Sequence, residues 1–125
     1  MIKIDWQSGI PAYDQIVQGF IRLKALGAVL PGQQMPSVRG MAMQLGVNPN
    51  TVQKAYFILE EKGIIYSVAG KGSFIADSVE ADAAVKESAK AVLKKAAAEA
   101  FRLGLNAQEA NEIIKEIFMG GISND

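Results

Sequence analysis

The sequence predicts an α+β fold, with three helices and two short strands in residues 1–76 and two further helices in residues 77–125. Three observations support this prediction. Apolar residues recur at helical spacing in stretches that Gly or Pro residues separate. Two β-rich runs flank a glycine-containing turn at residues 69–72. Half of the 125 residues are apolar, which is enough for one domain of ordinary size and a small extension.

The first predicted helix begins at Pro11 and ends before Gly27, where a Pro-Gly turn follows at residues 31–32. Ahead of it, Ile2 and Ile4 alternate with polar residues, a pattern that fits either a short strand or an extended arm. Aromatic residues at such positions usually belong to a core. We therefore expect three of them to be buried: Trp6, Tyr13 and Phe20.

A second, shorter helix is predicted between Ser37, which is a good N-cap, and Gly46. Gly40 stands where a capping box would have Glu, and it costs this helix about 1 kcal/mol relative to Ala. A tight turn then leads into a third helix, with Asn48 as its N-cap and Pro49 as its first residue. This order of helix, short turn and helix predicts a helix-turn-helix.

The third helix has one apolar and one polar face. Its apolar residues recur at i, i+3, i+4 and i+7 and predict a buried stripe: Val52, Ala55, Tyr56 and Leu59. The polar side chains are Asn50, Thr51, Gln53 and Lys54. Such side chains at a helix N-terminus, which favours anions, are suited to reading base edges or holding phosphates. A solvated helix face is the alternative interpretation.

Residues 64–68 and 73–76 predict the two strands of a wing. The turn between them contains Gly70, Lys71 and Gly72, followed by Ser73, and superficially resembles a phosphate-binding loop. We reject nucleotide binding, because the G-x-x-x-x-G-K-[ST] spacing is absent and a strand follows in place of a helix.

The charge is distributed unevenly. The whole chain is formally neutral, but residues 1–76 contain seven basic and four acidic side chains, a net charge of +3, and the remainder carries −3. This asymmetry indicates a mildly basic binding module joined to a different one.

The composition argues against several functions. The chain has no Cys and no His, so it lacks disulfides, thiolate chemistry and the commonest metal ligand and catalytic base. It also shows no paired carboxylates in a suitable context. We therefore predict no enzyme activity, no metal and no cofactor. A signal peptide and an apolar run long enough to span a membrane are both missing, so we expect a cytoplasmic protein with no membrane partner.

Residues 11–76 resemble the winged helix-turn-helix domain of the GntR family of bacterial transcription regulators. The matching positions are Pro11, Tyr13, Gln15, Ile16, Leu30, Pro31, Gly32, Gln34, Pro36, Ser37, Val38, Arg39, Ala42, Leu45 to Val52, Lys54, Ala55, Tyr56, Leu59, Glu60, Gly63, Ile64 and Gly70 to Ile75. Three positions depart from the family pattern: Gly40 replaces an acid, Ala69 a base, and Phe57 a polar residue.

The resemblance implies DNA contacts. In the family, the residues corresponding to Ser37, Arg39, Asn50, Thr51, Lys54, Tyr56 and Gly72 contact operator DNA. To these the polar helix face and the wing turn add three further candidates: Asn48, Gln53 and Lys71. We expect Arg39 to read guanine and Lys71, at a glycine-flanked tip, to hold phosphate or the minor groove.

Residues 77–125 predict a helical hairpin. An Ala-rich helix should end at Gly104, and a second helix should begin after Asn106, with Glu109 at its N3 position. Such a hairpin exposes more apolar surface than it can cover, so we predict a dimerisation seam that resembles the short tail of the YtrA-like subfamily. Its residues are Val85, Val92, Leu103, Ile113, Ile114, Ile117 and Phe118. The alternative is that the hairpin folds back on the first domain.

These observations predict a homodimeric transcription regulator that binds a two-fold, double-stranded DNA operator and represses transcription. The presence of a small-molecule effector stays open. The alternative function is a protein-protein interaction module, in which the winged domain is a scaffold and the tail binds a partner.

Overall fold

The structure, a computed structural model, describes residues 2–121. Its helices are α1 (Ala12–Ala25), α2 (Val38–Leu45), α3 (Pro49–Glu61), α4 (Val79–Arg102) and α5 (Ala107–Glu116). After α5 the segment Ile117–Gly121 kinks, because Met119 and Gly120 leave helical backbone angles. The strands are β1 (Ile65–Val68) and β2 (Gly72–Ile75). The chain divides into two compact units, Met1–Ser88 and Ala89–Asp125. The predicted α+β fold is confirmed.

The core of the first unit lies between α1, α2, α3 and the sheet. The predicted stripe of α3 is buried as expected, and the Tyr56 ring meets the Phe20 ring edge-on at a centroid distance of 6.3 Å. The aromatic prediction is confirmed for Phe20, and Tyr13 packs half-buried against this core. For Trp6 it is wrong, because its side chain is 68% exposed in the turn before α1.

The wing is an antiparallel pair in which Ile65 lies opposite Ile75. The connector before α2 meets this two-stranded sheet through one isolated bridge, in which Gln34 pairs with Phe74. The Met35 amide donates to the Ser73 carbonyl at 2.8 Å, and the Ile75 amide donates to the Gln33 carbonyl at the same distance. The segment leading into α2 is therefore fixed to the wing.

The N-terminal residues form an arm and not a strand. The Gln15 side chain holds it: the Asp5 amide donates to Gln15 Oε1 at 2.8 Å, and Gln15 Nε2 donates to the Ile10 carbonyl at 2.8 Å. Ile2 lies against Gly19, where an added Cβ would come within 2.9 Å of the Ile2 side chain. The absence of a side chain at position 19 thus lets the arm lie on α1.

The first turns of α4 belong to the first unit. The Ser78 hydroxyl donates to the Gly63 carbonyl at 3.1 Å and accepts from the Ala81 amide at 3.0 Å. Ala81 is fully buried, and Val85, one turn further on, packs half-buried against the same core. Val85 therefore has a packing contact within its own chain, and its place in the dimer seam stays a prediction. The compact unit consequently extends beyond residue 76, where the wing ends.

The second unit contains the end of α4 and all of α5. Asn106 and Glu109 form the predicted capping box, with bonds of 2.8 and 3.0 Å. Gly104 adopts a positive φ of 103°, which ends α4 as expected. None of residues 89–120 is buried, and Phe118 is 74% exposed. Among residues 2–121, no helix is long and apolar enough to cross a membrane.

Candidate nucleic-acid interface

The N-terminal turns of α3 present polar side chains at the surface. Asn48 Oδ1 accepts a hydrogen bond of 2.7 Å from the Asn50 amide, so its side chain caps the helix as predicted. Asn50 and Gln53 are exposed, while Thr51 is half-buried. The capping bond fixes the first turn from which these side chains project.

Lys54 is held in place by an aromatic ring of α1. Its ammonium nitrogen lies 3.9 Å from the centroid of the Tyr13 ring, within the range of a cation-π contact. The rest of the Lys54 side chain is exposed on the same helix as Gln53. This contact restricts the long side chain of Lys54 before any partner arrives.

The start of α2 is capped by Ser37, whose hydroxyl accepts from the Gly40 amide at 2.9 Å. A Cβ at position 40 would lie 2.9 Å from the same oxygen, which is closer than real Cβ contacts come. The absence of a side chain at Gly40, where the family pattern has an acid, therefore leaves room for the close contact with the Ser37 hydroxyl. Arg39, in the first turn, is exposed.

Tyr56 does not share the exposed face with the other predicted contact residues. Only 5% of its surface is exposed, and its hydroxyl donates to the Pro36 carbonyl at 2.7 Å. Burial raises the pKa of Tyr56 to about 12, because the ionised form would lose its hydration. Tyr56 links α3 to the residue before Ser37 and so helps to position both segments, while its contact with DNA stays a prediction.

The wing turn presents Lys71 and Gly72 at the surface. The Lys71 amide donates to the Val68 carbonyl at 2.9 Å, and Gln34 Nε2 donates to the Lys71 carbonyl at 2.8 Å. Gly72 has a φ of 113°, and a Cβ there would lie 3.0 Å from Gln34 Nε2. Gln34 matches the family pattern, but its contact with the wing turn was not predicted from the sequence.

The structure thus places nine of the ten predicted DNA-contact residues at or near the surface of the first unit: Ser37, Arg39, Asn48, Asn50, Thr51, Gln53, Lys54, Lys71 and Gly72. Two of them, Ser37 and Asn48, also cap helices. Within residues 2–121, no group of His, Cys, Asp or Glu side chains is arranged to hold a metal ion.

A helix-turn-helix followed by a two-stranded wing, with polar and basic side chains on the exposed face of its second helix, defines the class of winged helix-turn-helix transcription regulators. Residues 12–75 match the model of the bacterial regulatory proteins of the gntR family. The chain belongs to this GntR family.

Known proteins of the family resemble the chain along its length. It is 38% identical over 130 residues to the HTH-type transcriptional repressor YtrA of Bacillus subtilis (strain 168), an alignment that covers 100% of both chains. The structure of a GntR family transcriptional regulator from Listeria monocytogenes is similar with a TM-score of 0.74 and 31% identity, over 89% of this chain and 98% of that one. The chain is a transcriptional regulator and not an enzyme.

A solved structure that contains DNA is similar to the winged helix-turn-helix part of the chain. The DNA-binding domain of AraR in complex with operator ORX1 is 29% identical, with a TM-score of 0.55, over 59% of this chain and 94% of that one. The N-terminal unit is thus similar to a domain that has been seen on an operator.

Proposed function

We propose that the chain is a homodimeric repressor that binds a two-fold DNA operator through α2, α3 and the wing. The observation that carries this proposal is the exposed face of the first unit, where Arg39, the polar side chains of α3 and Lys71 remain free of the core. The full-length similarity to a transcriptional repressor supports the sign of regulation.

In this proposal, α3 enters the major groove with its N-terminal residues foremost. Asn50 and Gln53 carry amide groups, which pair with adenine through N6 and N7. Arg39 has a planar guanidinium that can donate to both O6 and N7 of guanine. Lys71 is a point charge on a flexible stem, suited to phosphate or the minor groove.

A second copy of the chain is needed for two reasons. The first 76 residues carry a net charge of only +3, so one unit alone gains little from counterion release. The second unit leaves large apolar side chains exposed, among them Leu103, Ile113, Ile117 and Phe118. We infer that these side chains meet their equivalents in a partner copy, which would hold two recognition helices about 34–36 Å apart.

The proposal is tested with two alanine variants that should lose DNA affinity in different ways. Arg39→Ala removes a bidentate base contact worth about 1–3 kcal/mol, so it should weaken operator binding far more than binding to scrambled DNA. Lys71→Ala should weaken both equally and reduce the salt slope by about one per contact, or about two in a dimer. The measurement is affinity for both DNAs across a salt series.

Lys94→Ala, at an exposed position of the second unit, is the matched control and should leave both affinities unchanged. Equal ratios of specific to non-specific affinity for Arg39→Ala and Lys71→Ala would contradict the division between a base-reading helix and a phosphate-holding wing. A chain that gives no salt-sensitive, sequence-specific shift of promoter DNA would instead favour the protein-protein interaction module.

A further inference from the structure

We propose that an apolar groove beside Arg39 is a subsite for the 5-methyl group of thymine, so that each operator half-site contains a thymine next to the guanine that Arg39 reads. The groove has a volume of about 440 Å³ and is lined by Arg39, Ala42, Met43, Val47 and Pro49. This inference rests on the proposed function and adds a specificity element to it.

Met43 is the unusual residue of this groove. It lies four residues after Arg39, so the two side chains project from the same face of α2. Its side chain is 84% exposed and contributes almost nothing to the core. Because the Met43 side chain is exposed in the free chain, contact with an apolar group of a partner would remove apolar surface from water and favour binding.

The other lining residues connect the groove with the recognition helix. Ala42 is buried and Val47 half-buried, so the floor of the groove is apolar and continuous with the core. Pro49 is the first residue of α3, the helix proposed to enter the major groove. A base edge that meets the N-terminus of α3 therefore comes within reach of the groove.

The chemistry of the groove selects its occupant. On the major-groove edges of DNA the thymine 5-methyl is the apolar group, and side chains such as Ala or the methyl of Thr recognise it by contact. Arg39 at the rim attracts phosphates and donates to guanine, so it favours a nucleic acid over an apolar peptide. An apolar floor with a guanidinium at its edge thus fits a guanine and an adjacent thymine.

The experiment begins with selection of bound DNA from a random pool, which yields the operator. Each thymine of the operator is then replaced by deoxyuridine, which lacks the methyl group and keeps every hydrogen-bonding atom. We expect one thymine next to a guanine in each half-site to be sensitive. Losing the burial of one methyl group should weaken binding about fourfold per half-site.

Met43→Gln should bind the thymine and deoxyuridine operators equally, because the near-isosteric amide no longer favours the methyl group. Since Met43 is exposed, the melting temperature should stay unchanged. Leu26→Gln, an exposed apolar residue outside the groove, is the matched control and should keep the fourfold preference.

Two results would overturn the subsite while leaving the proposed function intact. One is an operator in which no thymine responds to loss of its methyl group. The other is a methyl preference that Met43→Gln retains. Failure to select any DNA sequence would overturn the proposed function and the subsite together.

Discussion

Residue type and local spacing predicted the helix caps of the interface correctly, but they did not predict its long-range hydrogen bond. The caps of Ser37 and Asn48 follow from residue type and position alone, and both were predicted. For Tyr56 the helical period correctly predicted burial, whereas the family resemblance placed it among the DNA contacts. Its hydroxyl partner, the Pro36 carbonyl, is 20 residues away in the sequence, so no local pattern could have indicated it.

Replacing Tyr56 by Phe should lower the free energy of unfolding by about 0.5–1.5 kcal/mol, because the Pro36 carbonyl loses its donor. Operator affinity should fall as well, since this bond joins α3 to the start of α2. Chemical denaturation and DNA titration measure the two effects. Tyr66→Phe, at an exposed position of the wing, is the control. A loss of affinity at unchanged stability would contradict the positioning role.

The same residue predicts a dependence of stability on pH. The pKa of Tyr56 is about 12 in the folded chain, above its ordinary value of 10.0, so the folded state binds this proton more tightly than the unfolded state does. The resulting stability is complete below pH 10 and is lost as the pH rises from 10 towards 12. Unfolding curves at pH 9 and pH 11 should therefore differ more for the wild type than for Tyr56→Phe. The same difference in both chains would count against this assignment.

At the scale of elements, all five helices and both strands were predicted from period, caps and glycines. The bridge between the connector and the wing was not predicted. The connector contains Pro31, Gly32 and Pro36, which argue for a loop, and its pairing of Gln34 with Phe74 is non-local. This pairing depends on the neighbouring wing and not on the strand propensity of the connector.

The hydrogen bond from Gln34 to the Lys71 carbonyl leads to a prediction for the wing. Gln34→Met keeps the side-chain volume but removes the donor, so the turn should lose its fixed position and DNA affinity should fall about fivefold. Because Gln34 acts through Lys71, the substitution should have no further effect in a Lys71→Ala background. Affinities of the four chains complete this double-mutant cycle.

Gln7→Met, in the exposed arm, is the control for the glutamine-to-methionine change. Additive losses in the cycle would mean that Gln34 contributes to DNA binding independently of Lys71.

At the scale of the whole molecule, the sequence predicted exposed apolar side chains in the tail but not which of them its own chain covers. The helical pattern of α4 placed Val85 with Val92, yet Val85 packs on the first unit and Val92 is exposed. Periodicity identifies a face, whereas the partner of that face depends on tertiary packing. The division into a DNA-binding part and a dimerisation part, and the seam residues with Val85 among them, stay predictions.

The seam is tested with Ile114→Asp and Ile117→Asp in one chain. Two carboxylates in an apolar contact carry a large desolvation cost, so association should be lost while the first unit stays folded. Sedimentation at micromolar concentration measures association, and circular dichroism measures folding. Gln108→Asp with Asn111→Asp adds the same charge at exposed polar positions of α5 and should leave the dimer intact. An undiminished dimer in the Ile variant would place the interface elsewhere.

The exposed position of Trp6 determines what intrinsic fluorescence can report for this chain. It is the only tryptophan, and it belongs to the arm that Gln15 holds on α1, outside the core. Its emission should be red-shifted even in the native chain, because most of the indole is already in water. Melting of the core should then change the spectrum little, and the small change that does occur should come from release of the arm, which exposes the part of the indole that is still covered. A fluorescence transition that precedes the circular-dichroism transition would therefore mark local opening of the arm and not a folding intermediate of the core.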